Sequence, residues 1–236
     1  MTKTVAIHQP NFFPWLGYFD KIARADIFIF FDDVQFPKTG GVWTNRVKLL
    51  ISGEARWMTG AIDRNYNGTR AIREMCFLTD NPWREKILKS IMTNYQRHPF
   101  FNETMTIIKP LLLNPEPNIA EYNIKAVTRI VRELGLDPAK LRRSSDFPAE
   151  GHSNELLCSL TRLAGGETYM CGGGADGYQD DELFEQRGVK LQYQNFSHPV
   201  YPQRGQQEFV AGLSVIDALM NLGWKGVGGQ LSVPRY

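Results

Sequence analysis

The sequence predicts an α/β fold: a Rossmann-like, mostly parallel sheet with a β-hairpin and a helical insertion between its halves. Three observations lead there. Short apolar runs alternate with helical patterns at both ends of the chain, as in successive βαβ units. The run Ile27 to Phe31 is apolar without interruption, which suits a strand covered on both faces. Between the two alternating stretches, residues of about 80–135 carry helical periodicity only. A length of 236 residues fits one domain, 1–236, containing that insertion.

Taken in order, Val5 to Ile7 reads as a strand, Trp15 to Ala25 as a helix and Ile27 to Phe31 as the next strand. A polar loop, Gln35 to Asn45, follows. Arg46 to Leu50 and Arg56 to Thr59, joined around Ser52-Gly53, form the expected hairpin. Asp80, Asn81 and Pro82 start a helix whose apolar positions Ile87, Leu88, Ile91 and Tyr95 keep helical spacing. A second helix runs from Phe101 to Leu113 and stops at Asn114-Pro115-Glu116-Pro117, read as a tight corner. A third has Asn118 as cap and Glu121 at the capping-box position, and ends before Gly135. The α/β pattern then resumes: a weak strand Lys140 to Ser144, a helix Asn154 to Leu163 capped by Ser153, and a strand Glu167 to Cys171. A glycine loop, a helix Asp181 to Gln186 and a strand Val189 to Gln194 complete it. Trp224 and the glycine-rich tail, Gly226 to Gly229, are expected either to pack on a neighbour or to be disordered.

Bulk composition narrows the function classes. With 42% hydrophobic and 22% charged residues the chain is an ordinary folded protein. Its net charge of +2 gives no electrostatic case for nucleic acid or for an anionic membrane surface. No apolar run approaches the roughly 20 residues that span a bilayer, and Met-Thr-Lys-Thr does not open a signal peptide. Cys76, Cys158 and Cys171 are odd in number and widely spaced, suggesting neither a disulfide framework nor a zinc pair. The expectation is a reduced, cytoplasmic protein without membrane insertion.

The chemistry is expected at strand exits, because open α/β sheets bind ligands outside the carboxyl ends of their strands. The first exit, His8 to Tyr18, is the richest: a histidine, two side-chain amides (Gln9, Asn11), two prolines and four aromatics (Phe12, Phe13, Trp15, Tyr18). Pro10 and Pro14 stiffen it, and amides at the following helix start favour a phosphate or carboxylate. His8 is the natural acid, base or donor near neutral pH; the plainer reading has it satisfy buried backbone groups. The second exit, Asp32-Asp33-Val34-Gln35-Phe36, offers a carboxylate such as Asp33 to orient His8, bind a sugar hydroxyl or hold a metal, or else merely to cap a helix or pair with Arg46 or Lys48. Asn45 and Arg46 open the hairpin, and an arginine there can grip a carboxylate or phosphate.

Cys171-Gly172-Gly173-Gly174-Ala175-Asp176-Gly177-Tyr178 leaves a later strand and enters a helix. It lacks the context of a dinucleotide fingerprint and the Lys-Ser/Thr of a Walker loop, so it suggests ligand contact rather than a nucleotide. Cys171 is either a nucleophile or an inert buried thiol. Ser197-His198-Pro199 to Gln203 leaves the last strand, offering His198 and Gln203 or simply a rigid corner. His98 and His152 are expected at the surface. No metal-ligand spacing is present, and no cofactor is indicated.

The run Ile7-His8-Gln9-Pro10-Asn11-Phe12-Phe13-Pro14-Trp15-Leu16-Gly17-Tyr18-Phe19 resembles the signature of the WbqC-like family. Asp33-Val34-Gln35-Phe36, Asn45-Arg46, Thr168-Tyr169 with Gly172 and Tyr178, and Leu213 to Asp217 before Asn221 and Gly223 extend the likeness along nearly the whole chain. Cys171 departs from the Ser-Gly opening of many members, which puts any role of that serine in doubt. Members often sit among genes for surface polysaccharides such as O-antigen, so the resemblance implies work on an activated sugar. A more distant, fold-level similarity links His8 and the Gln35-Phe36 exit to nucleotide-binding ligases and nucleotidyltransferases, pantothenate synthetase included.

The leading expectation is a transferase acting on a nucleotide-linked amino sugar by acyl or aminoacyl transfer, with an acyl or aminoacyl carrier as possible partner. His8, Asp33 and Cys171 are the expected catalytic residues. Gln9, Asn11, Tyr18, Gln35, Asn45, Arg46, Gly172, Gly173, Gly174, Tyr178, His198 and Gln203 are expected to bind substrate. A nucleotidyltransferase or ATP-dependent ligase is the first alternative. A non-catalytic sugar-binding protein, using the four aromatics for stacking, is the second.

Overall fold

The computed structural model describes residues 2–37, 43–172 and 180–231. Five strands form one sheet: β1 (Thr4–His8), β2 (Ile27–Phe30), β5 (Leu141–Arg143), β6 (Thr168–Cys171) and β7 (Lys190–Tyr193). Their order is β5-β2-β1-β6-β7, and every pairing is parallel. Val5 lies opposite Ile27 on one side and Tyr169 on the other. The chain therefore adds strands outward from β1 in one direction, then returns to β1 and builds outward in the other. This reversal makes the gap between β1 and β6 the topological switch point of the sheet.

Alternation along the strands sorts side chains onto two faces. Ala6, Phe28, Phe30 and Met170 face the larger core, which they share with Leu16, Phe19 and Ile22 of α1 (Leu16–Arg24). Val5, Ile7, Ile29, Tyr169 and Cys171 face a smaller core closed by α5 (Asn154–Leu163) and α6 (Asp181–Gln186) through Cys158, Leu160 and Phe184. Helices leaving β1 and β6 thus depart to opposite faces, and a crevice opens above the two strand ends.

The hairpin pairs β3 (Arg46–Ile51) with β4 (Glu54–Thr59) as a separate two-stranded sheet. Ser52 and Gly53 both take positive φ, 52° and 81°, as a tight two-residue hairpin turn requires. The helical insertion consists of α2 (Trp83–Tyr95), α3 (Phe101–Leu112) and α4 (Ile119–Glu133). Asn118 caps α4, its side chain accepting from Glu121 N at 3.1 Å. The reciprocal half of the expected capping box is supplied by another residue. Glu116 Oε1 takes Asn118 N at 2.9 Å, while the Glu121 carboxylate is drawn away to a two-pronged ion pair with Arg143. Ser153 stands at the start of α5 with φ 51° and makes no capping hydrogen bond through its side chain.

The largest departure from expectation is the C-terminal glycine-rich stretch, which forms a helix, α7 (Val215–Gln230), kinked at Gly223. Gly223 has φ 70°, and a Cβ there would lie 2.6 Å from Phe100 Cδ1. Val215, Ile216, Leu219, Met220 and Trp224 are all buried in the larger core. Burial of that apolar stripe outweighs the glycines' roughly 1 kcal/mol each in lost helix propensity. No helix among the described residues is long and apolar enough to cross a membrane.

Candidate functional site

The first strand exit divides into a structural half and a chemical half. Phe12 and Phe13 are fully buried; Phe12 stacks with Tyr122 at 5.7 Å and meets Trp83 edge-on. Asn11 is buried as well, and Asn123 Nδ2 donates to Pro10 O (2.9 Å) and Thr44 O (2.7 Å), binding the loop to the hairpin entrance. Phe13 takes φ 43°, held by a 2.7 Å hydrogen bond from Ser214 Oγ to its carbonyl. Of the four aromatics, only Trp15 and Tyr18 reach the crevice.

The chemical half lines a cleft of about 800 Å³ at the switch point. Ile7, His8, Gln9, Trp15, Gly17, Tyr18 and Lys21 form the wall from β1 and α1, and Tyr169 with Gly172 the wall from β6. Gln194, Asn195, Phe196 and His198, at the exit of β7, close the third side. His8 is half-buried, its ring set edge-on against Tyr18 (4.9 Å between centroids) and Trp15 (5.7 Å). His8 Nδ1 is 3.2 Å from Gln9 O. A carbonyl accepts only, so Nδ1 carries the proton and Nε2 keeps a lone pair. Burial, then the Lys21 cation, hold the His8 pKa down to about 3, with the Gln9 carbonyl working the other way. His8 is therefore a neutral imidazole near pH 7.

Lys21 was not among the residues expected from the sequence. It is 4% exposed, and a Cβ placed on Gly172 would come within 3.3 Å of its Nζ. Burial lowers its pKa to about 8, the Cys171 thiol opposing. Among the described residues, no carboxylate lines the cleft to neutralise it. Gly17 is needed for shape: a Cβ there would meet Trp15 Nε1 at 2.6 Å and Phe196 Cδ1 at 2.8 Å. Gln194 fastens the β7 exit to α1, its amide donating to Gly17 O (2.7 Å) and Asp20 Oδ2 (2.9 Å). His198 packs edge-on against Phe196 at 4.9 Å, and burial lowers its pKa. Tyr18 donates to Gln9 O at 3.0 Å.

Among the expected site residues, then, His8, Gln9, Tyr18, Gly172 and His198 share one cleft. Others lie elsewhere. Asp33 hydrogen-bonds with Ser144 Oγ, and the neighbouring Asp32 takes Ser144 Oγ (3.0 Å), Ser145 N (3.1 Å) and Ser145 Oγ (2.9 Å), all across β2 from the cleft. Gln35 is exposed and bridges Ala71. Cys171 is buried in the smaller core and does not line the cleft, its Sγ donating to Gln192 O at 3.6 Å, although its thiol acts on the Lys21 charge. Asn45 secures the hairpin base, Nδ2 to Gly60 O at 3.1 Å. The Arg46 guanidinium lies 3.9 Å over Trp57 and, among the described residues, connects to the cleft through the series Trp57, Trp43, Trp15. Gln203 serves an internal knot. Its Nε2 donates to Val210 O (3.0 Å) and Asp217 Oδ2 (3.0 Å), and Asp217 also accepts from Tyr95 and Tyr201. His98 is buried beside Tyr95 rather than at the surface, whereas His152 is exposed. Gly173, Gly174 and Tyr178 lie outside the described residues.

Gln194, Asn195 and Phe196 lie between the strand expected to end at Gln194 and the polar loop expected from Ser197, so the sequence pattern gives them no role. The signal was available in Asn195, a residue type that tolerates its positive φ of 48°. No solved structure matches the chain. The uncharacterized protein Rv1507c of Mycobacterium tuberculosis (strain ATCC 25618 / H37Rv) is 29% identical over 224 residues, covering 94% of each chain. The family model described as "WbqC-like protein family" matches residues 9–228, from the exit of β1 to the last turns of α7. The chain belongs to the WbqC-like protein family.

Proposed function

We propose that the chain is a transferase of surface-polysaccharide biosynthesis that acylates or aminoacylates the amine of a nucleotide-linked sugar in the switch-point cleft. The observation that carries this reading is a neutral His8 with an available Nε2 beside a buried amine, in a cleft whose described lining holds no carboxylate. Such a lining suits an anionic, hydroxyl-rich ligand. It does not suit the paired carboxylates of glycoside hydrolysis.

In the transfer, the sugar nitrogen attacks the thioester carbonyl of the donor. An N–C bond forms, the C–S bond breaks, and the proton leaving nitrogen passes to His8 Nε2 and then to the departing thiolate. In the empty cleft His8 is a weak base. An anionic substrate next to Lys21 would cancel the repulsion that disfavours its protonation and raise its basicity when needed.

The test is a panel of nucleotide amino sugars with acyl and aminoacyl thioesters, read by mass for the N-acyl product. Turnover that falls about 10²–10⁴-fold in His8→Ala fits the assigned role. Undiminished turnover in that variant removes it, and tight binding of the sugar without turnover across the panel favours the binding-protein reading.

A further inference from the structure

We propose that Lys21, the backbone N–H of Gly172 and the first turn of α1 form a diphosphate-binding subsite within the cleft. It rests on the reading above for the nucleotide, and it assigns residues to the part of the ligand that reading leaves unassigned.

Four observations converge. Lys21 is 4% exposed yet lines the cleft, and among the described residues no carboxylate lines it to balance the charge, the buried Cys171 thiol being the acidic group that acts on it. A buried ammonium without a counter-charge is costly unless a ligand supplies the charge. Gly172 places its backbone beside Nζ, where a Cβ would stand 3.3 Å away, so main chain and ammonium can reach the same anion. Gly17, second residue of the nine-residue α1, also lines the cleft. Its N–H lies in the first turn, where amides lack the i−4 carbonyl of a continuing helix (Tyr18 N–H is taken by Trp15 O at 3.0 Å), and that turn holds no acidic side chain.

The donors favour phosphate over a single carboxylate. An ammonium is a point charge with three rotatable donors, and the amides come from two separate elements. Together they surround a tetrahedral group better than they match a planar one. His8, in the same cleft, supplies a further polar contact at the edge nearest the sugar. The diphosphate would thus sit between α1 and the β6 exit, directing the sugar toward His8 and the base toward Trp15 and Phe196.

The experiment is calorimetric titration of the full chain with inorganic pyrophosphate, UDP, uridine and acetate. Wild type should bind pyrophosphate and UDP, with uridine and acetate at least about tenfold weaker. Lys21→Met should weaken pyrophosphate tenfold or more, as expected for loss of one charged hydrogen bond, and Lys21→Arg should recover part of the loss. The unliganded Tm of Lys21→Met should equal or exceed that of wild type, since a buried charge has been replaced by a thioether, so lost binding cannot be ascribed to misfolding. Lys48→Met, on the hairpin, should bind as wild type does. Pyrophosphate affinity unchanged in Lys21→Met overturns the subsite, as does tighter binding of acetate than of pyrophosphate. Pyrophosphate binding that depends on Lys21, in a protein that acylates no nucleotide amino sugar, supports the subsite and overturns only the transferase reading.

Discussion

The exits of β1 and β2 are neighbours on one sheet edge, and both are polar, yet they end differently. At β2, Asp32 and Asp33 turn to Ser144 and Ser145 and their hydrogen bonds close within the protein. At β1, His8 keeps a lone pair and Lys21 keeps its charge, and both line open space. A polar strand exit therefore marks where a site can be. Whether it is one depends on whether its groups have already been satisfied.

This contrast can be broken by paired substitutions. The largest effect is expected from His8→Ala, with turnover down about 10²–10⁴-fold and Tm little changed. Asp33→Asn should leave turnover within a few-fold, and an Asp33→Asn loss as deep as that of His8→Ala would join the two exits into one site.

Next comes stability. Asp32→Ala removes the acceptor of the Ser145 amide and hydroxyl and one of the two carboxylates on Ser144, and should cost about 3 kcal/mol by denaturant unfolding. His8 makes a comparable, pH-dependent contribution. Its pKa of about 3 lies below the unfolded value near 6.5, so the unfolded chain binds the extra proton between them. Stability should fall as pH drops from about 6.5 toward 3, by about 4–5 kcal/mol at about 1.4 kcal/mol per pH unit, and His8→Gln should flatten that slope. A slope unchanged in His8→Gln would mean that water already reaches the ring freely. The smallest effect is Ser214→Ala, which removes the cap of α7 and the bond to Phe13 O. About 1–2 kcal/mol is expected, measured by thermal melting.

Much of this was legible in the sequence, for identifiable reasons. β1, β2, the hairpin and the helical insertion announce themselves by period and turn chemistry. The cleft's histidines and Gly172 stand beside strand ends where such residues are conspicuous. Lys21 did not, because a lysine in the middle of a helix reads as solvent-facing. In the fold every residue from Leu16 to Ala23 is buried, one side of the helix by the larger core and the other with the β7 exit fastened over it through Gln194. Helix α7 was hidden by its glycines, whose weak propensity is overridden by the stripe from Val215 to Trp224. Gln203 looked like a ligand contact because its true partner, Asp217, lies on a separate element. The aromatics of the first exit read as a stacking surface, yet Phe12 and Phe13 belong to the core.

The most direct test of the claim that the switch-point cleft is the ligand site is a crystal structure with a bound UDP-linked amino sugar. The account predicts the diphosphate at about 3 Å from Lys21 Nζ, with the sugar amine toward His8 Nε2. Ordered ligand against Asp33 and Ser144, or on the hairpin at Arg46, with the cleft empty, would contradict it.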